Sequence, residues 1–270
     1  MPVRLIASDM DGTLLGSNRV IPKANVDAIR AAQDRGIIFA VATGRFPENA
    51  HVLMEEYDLF CPIIGINGGK IVDERLRVIS ERFMLPGTAE QVQEILEKAG
   101  AEYFLFGRRG VCTSGENVFH HSELAYGRRI EELGLTYYHG AVAAREFARG
   151  NIYKFFVRNN VPLVPLRESL KAVKGIQLTQ SSPYNIEVMP LGVDKGRGIR
   201  DFALSMGIPL EETMTLGDEE NDVPMLAAVG YGVAMGNASR LAKAAARFVT
   251  DTNEECGFAK AIWKYALREE

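Results

Sequence analysis

Residues 3–15 read VRLIASDMDGTLL, and the change of character at residue 9 decides the reading of the fold. Val3 to Ser8 is a short, mostly apolar run that ends in a polar, glycine-containing segment. Such a run suits a strand buried on both faces, as in a parallel sheet. Outward from it, IPKANVDAIRAAQDRG (21–36) carries Val26, Ile29 and its alanines at helical spacing. Pro22 opens that helix and Gly36 stands where helices favour a terminating glycine. IIFAVATG (37–44) is a second buried strand, a helix begins near Phe46, and CPIIGING (61–68) is a third strand. Strand, helix, strand, helix, strand is the signature of a parallel sheet wound with right-handed crossovers.

After Asn67-Gly68-Gly69 the pattern changes. KIVDERLRVISERF (70–83) reads as two short strands joined by a turn at Asp73 to Arg75. A helix follows, opened by a capping box formed by Thr88 and Gln91 and closed by Gly100. Short strands are expected at YFLFG (103–107), IYKFFVR (152–158), GIQLTQ (175–180) and YNIEVMP (184–190). Helical stretches near Asn117–Leu133 and Val161–Lys174 lie between them. From Lys195 the β/α rhythm returns, with KGRGIRDFALSMGI a helix, TMTLGD a strand and NDVPMLAAVG a helix carrying Pro224 near its start. YGVAMG and RFVTD are short strands, and GFAKAIWKYALREE is the closing helix. The expected architecture is α/β: a Rossmann-like parallel-sheet domain at 1–83 and 189–270, interrupted by an inserted α+β domain at 84–188.

The 270 residues bury a sizeable core without disulfides or metals. Lys and Arg number 31 against 35 Asp and Glu, a formal net charge of −4 that argues against a general nucleic-acid binder. Cys61, Cys112 and Cys256 form no CxxC pair, so neither a zinc ribbon nor a disulfide framework is supported. Acidic residues interrupt the N-terminal apolar run where a signal peptide would keep it unbroken. The uncharged stretch Met225 to Ser239 contains three glycines and is too short to span a bilayer. No membrane association and a reducing, cytoplasmic location are the expectation, for a monomer or weak homodimer.

Each polar cluster follows a buried strand of the first domain. In open parallel sheets the carboxyl ends of the strands form the ligand crevice. Asp9, Asp11, Gly12 and Thr13 follow the first strand, Thr43, Gly44 and Arg45 the second, and Asn67 and Gly68 the third. Gly217, Asp218, Glu219, Glu220, Asn221 and Asp222 follow a later one, and Lys195 begins a helix aimed the same way. Alone, Asp9-Met10-Asp11-Gly12-Thr13 also reads as a turn with two solvated carboxylates. A calcium loop fails on spacing, because such a loop wants its glycine at position six and a late Glu.

Taken together, DMDGTLL (9–15), Thr43 within VATGR, Lys195 within GVDKGRG and GDEENDVPML (217–226) resemble the four motifs of the haloacid dehalogenase superfamily of phosphatases. IGINGG (64–69) and the large insertion between the second and third motifs resemble its Cof-type branch, which carries a C2-type cap over a Rossmann-like core. The resemblance implies Mg²⁺-dependent hydrolysis of a small phosphorylated metabolite through an aspartyl phosphate. It implies Asp9 as nucleophile, and Asp11 as the acid and base that serves the leaving group and then water. It places the metal on Asp9, Asp218 and the backbone carbonyl of Asp11. Phosphate falls to Met10, Thr43, Gly44, Lys195 and Asn221, with Asp222 orienting Lys195 or a metal-bound water. A cap that closes over the core, excludes water and selects the substrate is part of the same expectation.

These residue types suit the chemistry. A carboxylate nucleophile splits hydrolysis into two easier displacements. With a reference pKa of about 3.9, Asp9 is expected to be ionised without a general base. Mg²⁺ and Lys195 offset the repulsion between that anion and an anionic phosphate. Asp11 would be most useful with a raised pKa, which the neighbouring Asp9 charge favours. Thr43 reads equally as an N-cap for the next helix, Lys195 taken alone as a surface lysine, and Arg45 as a structural ion pair or a substrate contact.

Sugar phosphates are the first expectation for substrate and phosphorylated cofactors such as FMN or pyridoxal phosphate the second. A phosphomutase shares the nucleophile and metal. A phosphate-sensing receiver domain also phosphorylates an aspartate, but lacks a partner two residues on and an inserted domain. Gly230-Tyr-Gly232-Val-Ala-Met-Gly236 resembles a dinucleotide fingerprint with one residue too many. His120-His121 is expected to be a solvated pair, and Tyr137-Tyr138-His139 part of the core or surface of the inserted domain.

Overall fold

The computed structural model describes residues 2–115, 132–158 and 160–267. Two compact units emerge, one formed by 1–80 with 194–270 and the other by 81–193.

The first unit holds an eight-stranded sheet. In chain order its strands are β1 (Leu5–Ser8), β2 (Ile38–Ala42), β3 (Ile63–Gly65), β4 (Lys70–Val72) and β5 (Val78–Glu81). After the other unit come β12 (Thr213–Gly217), β13 (Tyr231–Ala234) and β14 (Phe248–Val249). The spatial order is β14-β13-β12-β1-β2-β3-β4-β5. β1 runs parallel to both β2 and β12, with Ser8 level with Val41 on one side and Leu216 on the other. Every residue of β1 is buried, which explains its mostly apolar run. The chain leaves β1 toward β2 on one side and returns to it through β12 on the other. This reversal of winding opens a crevice at the carboxyl ends of the strands. Beyond β3 the sheet turns antiparallel at β4, so it is mixed at one edge.

Helices α1 (Lys23–Asp34) and α2 (Pro47–Glu55) lie in the first half of this unit. One face of the sheet packs Leu5, Ala7, Ala40, Ala42 and Ile64 against Ile199, Phe202 and Ala203. The last three belong to the helix Lys195–Ser205, whose start coincides with the expected position. Phe39 meets Phe258 edge to face at 6.1 Å between centroids. The short helix Arg240–Ala245, between β13 and β14, was not anticipated; six residues carry too little periodicity to announce themselves.

The second unit holds a six-stranded sheet in the order β10-β11-β9-β6-β7-β8. Its strands are β6 (Tyr103–Gly107), β7 (Gly110–Thr113), β8 (Thr136–His139), β9 (Ile152–Arg158), β10 (Ile176–Thr179) and β11 (Asn185–Pro190). Helices α3 (Thr88–Lys98), α4 (Ala141–Ala148) and α5 (Leu163–Leu170) contribute to a core with Tyr103, Leu105, Phe155, Val157, Ile186 and Val188. The four-residue strands β7 and β8 and the helix α4 are absent from the sequence expectation. Tyr138 on β8 packs against this core while His139 is exposed. Most of the expected helix 117–133, with His120 and His121, lies outside the described residues.

The expected capping box at Thr88 does not form. Gly87, at φ +78°, is the N-cap of α3, and its carbonyl accepts the N–H of Gln91. Thr88 sits one position inside the helix and is buried, so its hydroxyl makes no cap bond. A left-handed residue immediately before the helix is open to glycine at little cost, which moves the start of the helix back by one residue.

Candidate active site

Asp9 is the first residue past β1, and its N–H bonds the carbonyl of Leu216 at 3.0 Å. That bond extends the β1–β12 ladder, so Asp9 and Asp218 leave adjacent strands side by side. The chain then turns over Asp218 at Met10–Leu14. Gly12 adopts φ +79°, and a Cβ there would stand 2.3 Å from Asp218 Oδ2. Only glycine permits this approach. Thr13 donates its hydroxyl to Asp218 Oδ1 at 2.8 Å.

Lys195 is the first residue of its helix, behind the N-cap Asp194, whose side chain accepts the N–H of Arg197. Its side chain is fully buried, with Nζ 2.8 Å from Asp9 Oδ1 and 2.6 Å from Asp222 Oδ1. It is therefore not a surface lysine. The second oxygen of Asp222 accepts the N–H groups of Asp218 and Glu219, at 2.8 and 3.0 Å. One carboxylate thus shapes the loop carrying Asp218 and anchors the ammonium that reaches Asp9.

Thr43 is buried at the end of β2. It is not the N-cap of α2, a position held by Phe46, because the chain runs three residues further before turning into the helix. Its hydroxyl instead accepts the N–H of Arg45 at 3.2 Å. Arg45 forms an ion pair with Asp11, Nε to Oδ2 at 2.9 Å and Nη2 to Oδ1 at 2.5 Å. Gly44 lies in the same loop, and Met10 is buried in the turn after Asp9. Asn221 donates its amide to Asn67 Oδ1 at 3.3 Å. The sequence placed Asn67 and Thr13 on this rim without a task; their partners lie more than 150 positions away, beyond any local signal.

The electrostatics are strained. Burial raises the Asp9 carboxyl well above its usual value; Lys195 opposes this, while Asp222, Asp218 and Asp11 add to it. Burial, then Asp222, push Asp218 up to about 7 against the pull of Thr13 and Lys195. Burial would lower the Lys195 ammonium, but Asp222 and Asp9 outweigh it and hold the group above the usual lysine range. The reference value that makes Asp9 an easy anion in water therefore does not carry into this site. Were all three carboxylates ionised beside the one ammonium, two negative charges would stand uncompensated, the charge that a divalent cation carries.

Carboxylate oxygens of Asp9, Asp218 and Asp222 lie within 4.8 Å of one another, all three buried. Hard oxygen donors of this kind suit Mg²⁺. Asp222 has both oxygens engaged by Lys195 and the two backbone N–H groups. Asp9 and Asp218 each keep Oδ2 outside the hydrogen bonds formed among the described residues, which makes these two the better ligands. The Asp11 carboxylate is not in the group, since Arg45 holds it.

A sequence model of haloacid dehalogenase-like hydrolases matches residues 6–262. The chain is 32% identical over 267 residues to the 5-amino-6-(5-phospho-D-ribitylamino)uracil phosphatase YcsE of Bacillus subtilis, covering 98% of this chain and 96% of that protein. It is 30% identical to the HMP-PP phosphatase of Serratia proteamaculans, over 87% and 84% of the two chains. Among solved structures, a haloacid dehalogenase-like hydrolase from B. subtilis superposes with a TM-score of 0.84 at 28% identity, covering 96% of this chain and 99% of that one.

Proposed function

The chain belongs to the haloacid dehalogenase-like hydrolases, in their Cof-type branch, and from that premise we propose a Mg²⁺-dependent phosphatase acting on small phosphomonoesters through a phosphorylated Asp9. The observation that carries the reading is the fully buried Lys195 ammonium bridging Asp9 and Asp222 beside Asp218. A buried cation, fixed against a carboxylate at the carboxyl end of the central strand, suits a reaction that brings an anion there.

In this reading one carboxylate oxygen of Asp9 attacks phosphorus as the ester P–O bond breaks. Asp11 gives its proton to the departing oxygen, then takes one from the water that attacks the acyl phosphate. The second displacement returns the Asp9 carboxylate and releases inorganic phosphate. Lys195 and the Asn221 amide hold phosphoryl oxygens, together with the Thr43 hydroxyl and the N–H groups of Met10 and Gly44. Asp222 fixes Lys195 by direct contact. Mg²⁺, held by Asp9, Asp218 and the Asp11 carbonyl, would supply charge neutralisation for an anionic nucleophile meeting an anionic phosphate. Residues 84–188 are assigned substrate choice, because every motif residue lies outside them.

For substrate class we propose the phosphate of a sugar or sugar-like polyol. The relative YcsE is named for a substrate with a phosphorylated ribityl chain, which supports a primary alkyl phosphate over an aromatic one. Phosphorylated cofactors such as FMN or pyridoxal phosphate are the second class. Three free cysteines suit a reducing cytoplasm. The deciding experiment measures phosphate release with Mg²⁺ across sugar, polyol and cofactor phosphates. Sugar or polyol phosphates should give the highest kcat/KM. Release from none of the panel would overturn the function, and cofactor phosphates ranking first would overturn the substrate class.

A further inference from the structure

The turn after β3 is built unusually. Ile66, Asn67 and Gly68 adopt φ values of +52°, +51° and +89° in succession. A β-branched residue in the left-handed region is costly, and such geometry persists only where its surroundings over-determine it. Here the loop after β2 does so: the N–H of Ile66 bonds the carbonyl of Arg45, and that of Asn67 the carbonyl of Thr43, each at 2.9 Å. Gly68 lies so close to the Asp194 carbonyl that a Cβ would fall 2.4 Å from it. The turn is therefore clamped between the Thr43 loop and the residue before Lys195. It carries one buried polar side chain, Asn67, 1% exposed.

Asn67 Oδ1 accepts from Asn221 Nδ2, while Asn221 Oδ1 is buried with no hydrogen-bond partner among the described residues. An amide can face a ligand with its oxygen or with its NH₂ group, and only the latter suits a phosphoryl oxygen, which accepts. Asn67 Oδ1 is an acceptor, so bonding it to Asn221 selects the orientation in which the NH₂ group is presented. We infer that Asn67 is a positioning residue that fixes the Asn221 amide as a phosphate donor. This rests on the phosphate role assigned to Asn221 above.

The test is a double-mutant cycle read as the inhibition constant of inorganic phosphate, with p-nitrophenyl phosphate as substrate and Mg²⁺ present. Glycine adopts the local φ, so Asn67→Gly removes the amide and spares the turn. Losing one such hydrogen bond should raise the inhibition constant about 3- to 10-fold. In an Asn221→Ala background the same change should have no further effect, because there is no amide left to orient. A purely structural Asn67 would instead raise the constant by the same factor in both backgrounds, which overturns the inference. Should Asn221→Ala itself leave phosphate inhibition unchanged, the phosphate role of Asn221 fails rather than the coupling alone. Asn67→Ala is carried through the same cycle in case the glycine variant does not fold. Loss of folding in both would assign Asn67 a structural role and overturn the inference.

Discussion

Arg45 grips both carboxylate oxygens of Asp11, at 2.9 Å through Nε and 2.5 Å through Nη2. The two residues lie 34 positions apart, in the loops after β2 and β1, and the bidentate fork fixes the carboxylate in direction as well as distance. The fork aims Asp11 in its ionised form, so in the proposed mechanism one oxygen leaves Arg45 when it carries the proton. Arg45→Gln should therefore slow alkyl phosphates, whose leaving group needs the proton, by about 10-fold more than aryl phosphates, a part of what an acid contributes. Steady-state rates on one substrate of each kind check this. Equal losses on both would mean that Arg45 does not aim Asp11.

The roles proposed for Asp9 and Asp11 separate by whether the phosphoenzyme can form. Asp9→Asn should form no phosphoenzyme and show no turnover. Asp11→Asn should lose about 10²–10⁴-fold in turnover yet accumulate phosphate on Asp9 from an aryl phosphate, whose departure needs little acid assistance. Intact-protein mass spectrometry after acid quench reads one added phosphoryl group. Wild-type hydrolysis of alkyl phosphates by Asp11→Asn would contradict the assignment.

Stability of the metal-free protein should fall with pH. The Asp218 carboxyl rises on folding from 3.8 to about 7, mainly through burial, so between those values the folded form holds a proton that the unfolded chain releases. Stability is then lost as pH climbs through that window and levels off above it. A divalent cation needs the ionised carboxylate, so the gain in Tm on adding Mg²⁺ to chelator-treated protein should be larger at pH 8 than at pH 6. Thermal melts across this range decide it, and a Mg²⁺ effect independent of pH would tell against Asp218 as a ligand.

Asp222 is expected to matter for folding as much as for turnover. Removing it strips one of the two carboxylates from a fully buried ammonium and orphans the N–H groups of Asp218 and Glu219. Asp222→Ala should cost about 3–5 kcal/mol, the usual loss when a buried pair is broken on one side. Asp222→Asn, which keeps an acceptor for the backbone, should cost less. Urea denaturation gives both values; a loss below about 1 kcal/mol for the alanine variant would place the pair among the weak surface type.

The thiols should divide by burial. Burial pushes Cys61 up to about 12 and Cys112 up to about 11, whereas Cys256 is partly exposed. Thiolate is the reactive form. At pH 8 the native protein should take up one equivalent of iodoacetamide rapidly and the urea-unfolded chain three. Rapid uptake of two or more by the native protein would contradict the burial.

By itself the sequence determined the central strands, the helices that follow them and the strand ends that carry polar residues. It could do so because a strand buried on both faces leaves a continuous apolar run, and the first polar residues after it mark where the backbone leaves the sheet. Lys195 was legible as the start of a helix, though its burial was not. The tertiary structure alone decided which side chains meet: Arg45 with Asp11, Thr13 with Asp218, Asn67 with Asn221, and Lys195 between two carboxylates. It also decided that Gly87, not Thr88, caps α3, and that the short strands β7 and β8 form. Local periodicity reports only what one segment does with its own two faces. Contacts across 27 to 205 positions depend on how strands order in the sheet, and the charge of a carboxyl depends on the water removed when those segments close around it.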